Sequence, residues 1–88
     1  MKVVKRDGRL QEFDLNKIKT SIYRASDDAG QPLNESDIEN LARNIEKGLQ
    51  NYQKSSVHFD IIQKFVLREL EKQGFGVVAT YYNQGKIE

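Results

Sequence analysis

Apolar residues are spaced in one way over the first thirteen positions and in another over most of the remainder, and that switch predicts the elements. Two short runs, 2–6 and 9–13, flank Asp7-Gly8. A two-residue Asp-Gly link suits a type I′ turn, whose central residues both need positive φ, so a β-hairpin is predicted. In that register Val3, Lys5, Leu10 and Glu12 share one face. Val4, Arg6, Arg9, Gln11 and Phe13 share the other. Neither face is purely apolar, so pattern alone leaves open which one packs inward.

From Asp14 the spacing becomes helical. Asp14 suits an N-cap, since its carboxylate can accept from unpaired backbone donors. Leu15, Ile18, Ile22, Ala25 and Ala29 then form a stripe, and Gly30 and Pro32 end it. A second helix is predicted from Ser36, where Ser36-Asp37-Ile38-Glu39 reads as a capping box. Its inward face is Ile38, Leu41, Ala42, Ile45, Leu49 and Tyr52. Residues 55–59 alternate and predict a third strand. Asp60 is the expected cap of a third helix, with Ile61, Ile62, Phe65, Val66 and Leu70 inward and Gly74 as its stop. Residues 75–82 predict a fourth helix, and the chain is expected to fray from Gly85 onward.

Each helix must bury a stripe, and the hairpin with the short strand can cover one end of the resulting bundle. The predicted fold is therefore α+β: a four-helix bundle capped by a small three-stranded sheet that begins with an N-terminal β-hairpin. Its 88 residues are read as one domain, 1–88.

Composition narrows the function. The chain has no cysteine, which excludes disulfides and thiolate metal sites. No apolar run approaches the ~20 residues of a membrane span, and the apolar part of the N-terminus is too short for a signal peptide. A soluble cytoplasmic protein is expected. The net charge is +1, but residues 1–24 carry seven bases against three acids, and residues 25–88 seven against ten. A basic first quarter on a near-neutral chain points to a local anion site. It argues against a nucleic-acid binder, which would show a broad basic face.

The candidate chemistry sits in that basic quarter. Lys5 and Arg6 end a strand beside a tight turn, and Lys17 lies on the first turn of the next helix. A helix N-terminus favours anions, lysine adds a point charge, and arginine a fork for two phosphate oxygens. Three cations from two elements can thus converge on one polyphosphate. The plainer reading is a hairpin with solvated charges, which are common at turns.

The segments Val3-Val4-Lys5-Arg6-Asp7-Gly8 and Phe13-Asp14-Leu15-Asn16-Lys17-Ile18 resemble the opening signature of the ATP-cone. Residues 61–70 are similar to that family's third helix and residues 77–82 to its closing helix. The family occurs in ribonucleotide reductase large subunits and in the nucleotide-sensing repressor of their genes. The resemblance implies a helical bundle capped by a three-stranded sheet, with ATP or dATP bound between them as an effector, together with Mg²⁺. It implies that Val3 packs near the adenine, that Lys5 and Arg6 reach the nucleotide, and that Lys17 holds phosphate. Gln11 and Asp14 stand where some members carry glutamate and asparagine near the sugar. At the chain's end, Asn83-Gln84-Gly85-Lys86 replaces the family's aromatic–arginine pair.

Other signals are weaker. His58 is the lone histidine and has no partner for a zinc site. Asp27-Asp28 and Glu35-Ser36-Asp37 flank a loop and read as solvated. There is no phosphate-binding Gly-x-x-x-x-Gly-Lys loop and no nucleophile–base pair, so no catalytic residue is expected. The resemblance implies a regulatory domain within, or acting on, a ribonucleotide reductase, through self-association or contact with its catalytic domain. A repressor of the zinc-ribbon type is set aside, because no cysteine precedes the cone. Two alternatives stay open: a degenerate cone serving as a protein-interaction module, and a small nucleic-acid-binding domain.

Overall fold

A computed structural model describes residues 1–52 and 55–85. The elements are β1 (Lys2–Val4), β2 (Leu10–Glu12), α1 (Leu15–Asp28), α2 (Glu35–Tyr52), β3 (Ser56–His58), α3 (Phe59–Lys72) and α4 (Gly76–Gly85). The fold is α+β, as predicted. The helices form a ring in which α1 packs on α2 and α4, and α3 packs on the same two. The sheet has the order β2-β1-β3, with β1 antiparallel to β2 and parallel to β3. A parallel neighbour needs a crossover, and here α1 and α2 supply it. The expected fraying beyond Gly85, and Lys86, lie outside the described residues.

The bundle core follows the stripes read from the sequence. Ile22, Leu41, Ala42, Ile45, Leu49, Val66, Leu70 and Val78 are fully or almost fully buried. Both left-handed stops are confirmed in detail. At the end of α1, the Gln31 N–H donates to Ser26 O (3.0 Å) and the Gly30 N–H to Asp27 O (3.0 Å). At the end of α3, Phe75 donates to Leu70 O (2.8 Å) and Gly74 to Glu71 O (3.1 Å). Gly30 and Gly74 hold φ of 67° and 89°. This is the Schellman pattern, which satisfies carbonyls the helix leaves open.

Several predicted details are corrected. The second helix is capped by Asn34 rather than Ser36: Asn34 Oδ1 accepts from the Asp37 N–H at 2.8 Å, so the helix begins at Glu35. The third helix is capped by His58 rather than Asp60. His58 pairs with Val4 in the sheet, so its backbone is extended (φ −69°, ψ 142°) and its Nδ1 accepts from the Asp60 N–H at 3.3 Å. Tyr52 ends the α2 stripe at the surface, edge-on to the Phe65 ring at 6.3 Å. The core also takes in a polar group the pattern did not show. Glu69 is buried, and its Oε1 accepts from Asn44 Nδ2 on α2 and from Gln73 Nε2, each at 3.0 Å. That bond ties α2 to α3 and keeps the carboxylate satisfied, as burial requires.

The hairpin carries the largest correction. The strands pair Lys2 with Glu12, Val3 with Gln11 and Val4 with Leu10. The loop is therefore Arg6-Asp7-Gly8, one residue longer than a two-residue Asp-Gly link. The Gly8 N–H donates to Lys5 O (2.9 Å), the Lys5 N–H to Arg9 O (2.8 Å), and Gly8 alone takes the positive φ, 88°. The cause is the Asp7 carboxylate. It captures the Arg9 N–H at 3.1 Å and Arg9 Nε at 2.7 Å, so that N–H is spent on a side chain instead of the ladder. A one-residue shift exchanges the faces of a strand. Gln11 and Phe13 join Val3 and Lys5 on the inner face, and Leu10, expected beside Val3, is 63% exposed.

Candidate functional site

Backbone contact between sheet and bundle runs mainly through β3 and α3. On the β1–β2 side the two layers stand apart around a cleft of roughly 450 Å³. Three sources build it. The hairpin gives Val3, Lys5, Gln11, Glu12 and Phe13. The first three turns of α1 give Lys17, Ile18, Thr20, Ser21 and Arg24, entered from Asp14 and Asn16. From the far wall come Phe59, Ile62 and Gln63 of α3 and Tyr82 of α4.

Each placement has a local reason. Val3 is on the central strand, paired on both sides with Gln11 and Val57, so this inner row is fixed by two ladders. Lys5 lies two residues on and keeps the same face. Asp14 caps α1, its Oδ1 accepting the Asn16 N–H at 3.0 Å. That points the helix start at the cleft. Lys17, Thr20, Ser21 and Arg24 then follow at three-, four- and seven-residue spacing, which is one face of a helix. The Thr20 and Ser21 hydroxyls are turned back onto the helix, donating to Asn16 O (3.0 Å) and Lys17 O (2.9 Å). Phe59, Ile62 and Gln63 share a face of α3 for the same reason.

The charges in the cleft are unevenly balanced. Glu12 is held by Lys2, whose Nζ donates to Oε2 at 2.6 Å. That bond keeps the Glu12 carboxyl below its ordinary range. Asp14 is spent on the helix cap. Among the described residues, no carboxylate lies within salt-bridge distance of Lys5, Lys17 or Arg24. Three cations without carboxylate partners therefore face a space whose other wall is apolar. On the hairpin side a second hollow adjoins, lined by Lys5, Arg9, Leu10, Gln11 and Lys17. Burial also marks this site: desolvation pushes the Tyr82 hydroxyl up to about 12.

Of the residues predicted from sequence, Val3, Lys5, Gln11, Asp14 and Lys17 line the cleft together. Arg6 does not. Its guanidinium lies over the ring of the cleft residue Phe59, 5.1 Å from the centroid. Arg24, Phe59, Ile62 and Gln63 line the cleft without having been singled out from sequence, as does Tyr82, whose aromatic cluster with Tyr81 and Phe75 reads from sequence as packing. Arg24 had a signal: it stands two turns after Lys17 on the same helix face. The others belong to segments whose approach to the hairpin is a matter of tertiary packing. No group of three or more metal-ligating side chains occurs among the described residues.

A family model described as the ATP cone domain matches residues 1–84. The chain is also similar to proteins named transcriptional repressor NrdR. That of Desulfitobacterium hafniense is 40% identical over 68 residues, covering 77% of this chain and 43% of the relative. That of Syntrophus aciditrophicus is 32% identical over 85 residues, covering 93% and 52%. That of Thermomicrobium roseum is 34% identical over 70 residues, covering 80% and 42%. The chain thus spans about half the length of these relatives. Their printed name is that of a transcriptional repressor.

Proposed function

The chain belongs to the ATP-cone family, and from that premise we propose that it binds ATP or dATP as a regulatory signal in the cleft between sheet and helices. The observation that carries this reading is the set of unpaired cations, Lys5, Lys17 and Arg24, facing an apolar wall. A polyphosphate supplies the missing negative charge, and a flat base covers the apolar surface of Val3, Phe59 and Ile62. Lys5 and Lys17, beside the capped start of α1, take the phosphates; helix N-termini favour such groups. Gln11 and Asp14, which line the same cleft, are the residues offered to the sugar. Mg²⁺, if bound with the nucleotide, would offset part of the phosphate charge, leaving the rest to Lys5, Lys17 and Arg24. Arg6 acts through its contact with the Phe59 ring.

In this reading the domain regulates rather than catalyses, and it works in the cytoplasm. Two hosts compete. The relatives' printed name favours a regulator of transcription, so the wider protein would act at DNA. The other host is a ribonucleotide reductase, with the domain meeting its catalytic part or a second copy. In either, the effector must favour one of two states of a partner-facing surface. The domain boundary, 1–88, belongs to the same proposal.

The test is thermal unfolding with Mg²⁺ and ATP, dATP or GTP, on the chain and on a Lys5→Ala/Lys17→Ala double variant. Nucleotide at about 100 times its Kd adds roughly 2.7 kcal/mol. That is a shift of about ten degrees or more for a domain of this size. The expected result is a shift with ATP or dATP, lost in the variant. No shift with any nucleotide at millimolar concentration sinks the reading and leaves the interaction module. Binding that ignores the base and falls steeply with salt would indicate nucleic acid instead.

A further inference from the structure

One polar group on the helical wall of the cleft is fixed in orientation by a bond leading out of the cleft. Gln63 lines the cleft from α3, and its Nε2 donates to Asn83 Oδ1 on α4 at 3.0 Å. One of the amide's two N–H donors is thereby committed to α4. The amide's other end, Oε1, carries two lone pairs and accepts no hydrogen bond from a described residue. Gln63 is one helical turn beyond Phe59 and adjacent to Ile62, both of which line the cleft with Tyr82. The adjoining hollow, lined by Lys5, Arg9, Leu10, Gln11 and Lys17, does not include it. Gln63 therefore sits beside Phe59 and Ile62, the apolar surface suited to a base.

We propose that Gln63, positioned by Asn83, selects the base by accepting a hydrogen bond from an exocyclic amine. The inference rests on the adenine-nucleotide reading above and deepens it. Adenine presents an amino donor where guanine and hypoxanthine present a carbonyl acceptor. With Nε2 tied to Asn83, the amide turns an acceptor toward the ligand. Adenine completes the pair, whereas a 6-oxopurine sets oxygen against oxygen and leaves both unsatisfied. A site built around a hydrogen bond rejects the ligand that cannot make it more strongly than an apolar pocket rejects a change of size. Asn83 is then a positioning residue: without it the amide can turn its donors inward and serve either base.

The test is calorimetric titration of the whole chain with the triphosphates of adenosine, inosine and purine riboside. The last of these lacks any group at the 6 position. Four proteins are compared: the unaltered chain, Gln63→Leu, Gln63→Glu and Asn83→Ala. The unaltered chain is expected to bind ATP on the order of tenfold more tightly than the inosine analogue. Gln63→Leu brings ATP down to the level of purine riboside triphosphate and erases the preference. Gln63→Glu keeps the ratio of ATP to inosine triphosphate, because a carboxylate still accepts. Asn83→Ala shrinks the ratio without erasing it. Unfolding midpoints show whether each variant is folded, and if Gln63→Leu is not, the Gln63→Glu and Asn83→Ala ratios decide. ATP binding with a ratio that Gln63→Leu leaves unchanged overturns the inference and spares the nucleotide reading. Tighter binding of the inosine analogue by the unaltered chain shows the amide pair reversed and also overturns it. Failure to bind any of the three overturns both.

Discussion

The seam between α2 and α3 and the cleft under the hairpin are both lined by apolar side chains, yet they are finished differently. In the seam, Leu41, Ile45, Leu49, Val66 and Leu70 are 0–1% exposed. Around the cleft, Val3, Ile18, Phe59, Ile62 and Tyr82 are 7–9% exposed. The seam is sealed by the chain itself, and its buried carboxylate, Glu69, is satisfied by two amides. The cleft wall stops just short of sealing, and its cations lack carboxylate partners. The difference assigns the two regions different work. One holds the fold by burial already complete; the other keeps surface and charge in reserve for something that completes them.

The largest expected effect breaks the sealed side. Leu70→Ala removes a side chain with no exposed surface and is expected to cost about 2–5 kcal/mol, through lost transfer free energy and the cavity left behind. Denaturant unfolding measures it directly. The comparison predicts that the destabilised variant, while still folded, gains as much from nucleotide at a fixed multiple of Kd as the unaltered chain does. The Lys5→Ala/Lys17→Ala variant is its mirror image. It stays within about 1 kcal/mol of the unaltered chain without ligand, since Lys17 is exposed, Lys5 is half-buried and neither has a salt-bridge partner among the described residues, and it loses the roughly 2.7 kcal/mol gained from ligand. If Leu70→Ala also abolished the nucleotide response, the two regions would be one cooperative device and the division would fail.

The same division governs what could be read from the sequence. The seam was legible because helical stripes report burial directly: Ile38, Leu41, Ala42, Ile45 and Leu49 were named from spacing and are buried. Cap positions were less legible. Ser36 and Asp60 have the right chemistry, but Asn34 and His58 win because the preceding loop or strand fixes which residue has the extended backbone. The hairpin register turned on one hydrogen bond, from the Arg9 N–H to the Asp7 side chain, which no alternation pattern encodes. The hairpin and α1 half of the cleft was legible since Val3 to Lys17 are close in sequence. The other half arrives from α3 and α4, and only packing of the helical ring brings Phe59, Gln63 and Tyr82 to Val3.

Tyr82 lines the cleft from α4, and its titration sharpens the boundary. Burial raises its hydroxyl from 10.0 to about 12. A group whose pKa is higher in the folded state contributes stability that is intact below its unfolded value and disappears as pH rises through the folded one. Stability should therefore fall between about pH 10 and pH 12, by up to about 2–3 kcal/mol. Tyr82→Phe should lack that part of the alkaline loss. Phenolate absorbance against pH gives the check. A Tyr82 that ionises near 10 would mean that water already fills the cleft and that its wall is no less hydrated than an open surface.

The smallest effect concerns Glu12, which faces both ways. Its pairing with Lys2 holds its carboxyl below the ordinary value of 4.5, and the side chain is exposed. A lowered carboxylate contributes stability above its unfolded pKa and loses it as pH falls through the folded one, so the pair should weaken only below about pH 4.5. Salt and Lys2→Ala should each erase that acid-side loss. Glu12 also lines the cleft, where its charge opposes a polyphosphate. Glu12→Gln is therefore expected to slightly lower stability at neutral pH and to raise nucleotide affinity by about twofold at low salt, falling toward none as salt rises. Opposite signs from one substitution are what the comparison requires of a residue on the cleft side. A variant that weakened nucleotide binding would instead make Glu12 part of the ligand's support, and the balance of charge in the cleft would need to be redrawn around it.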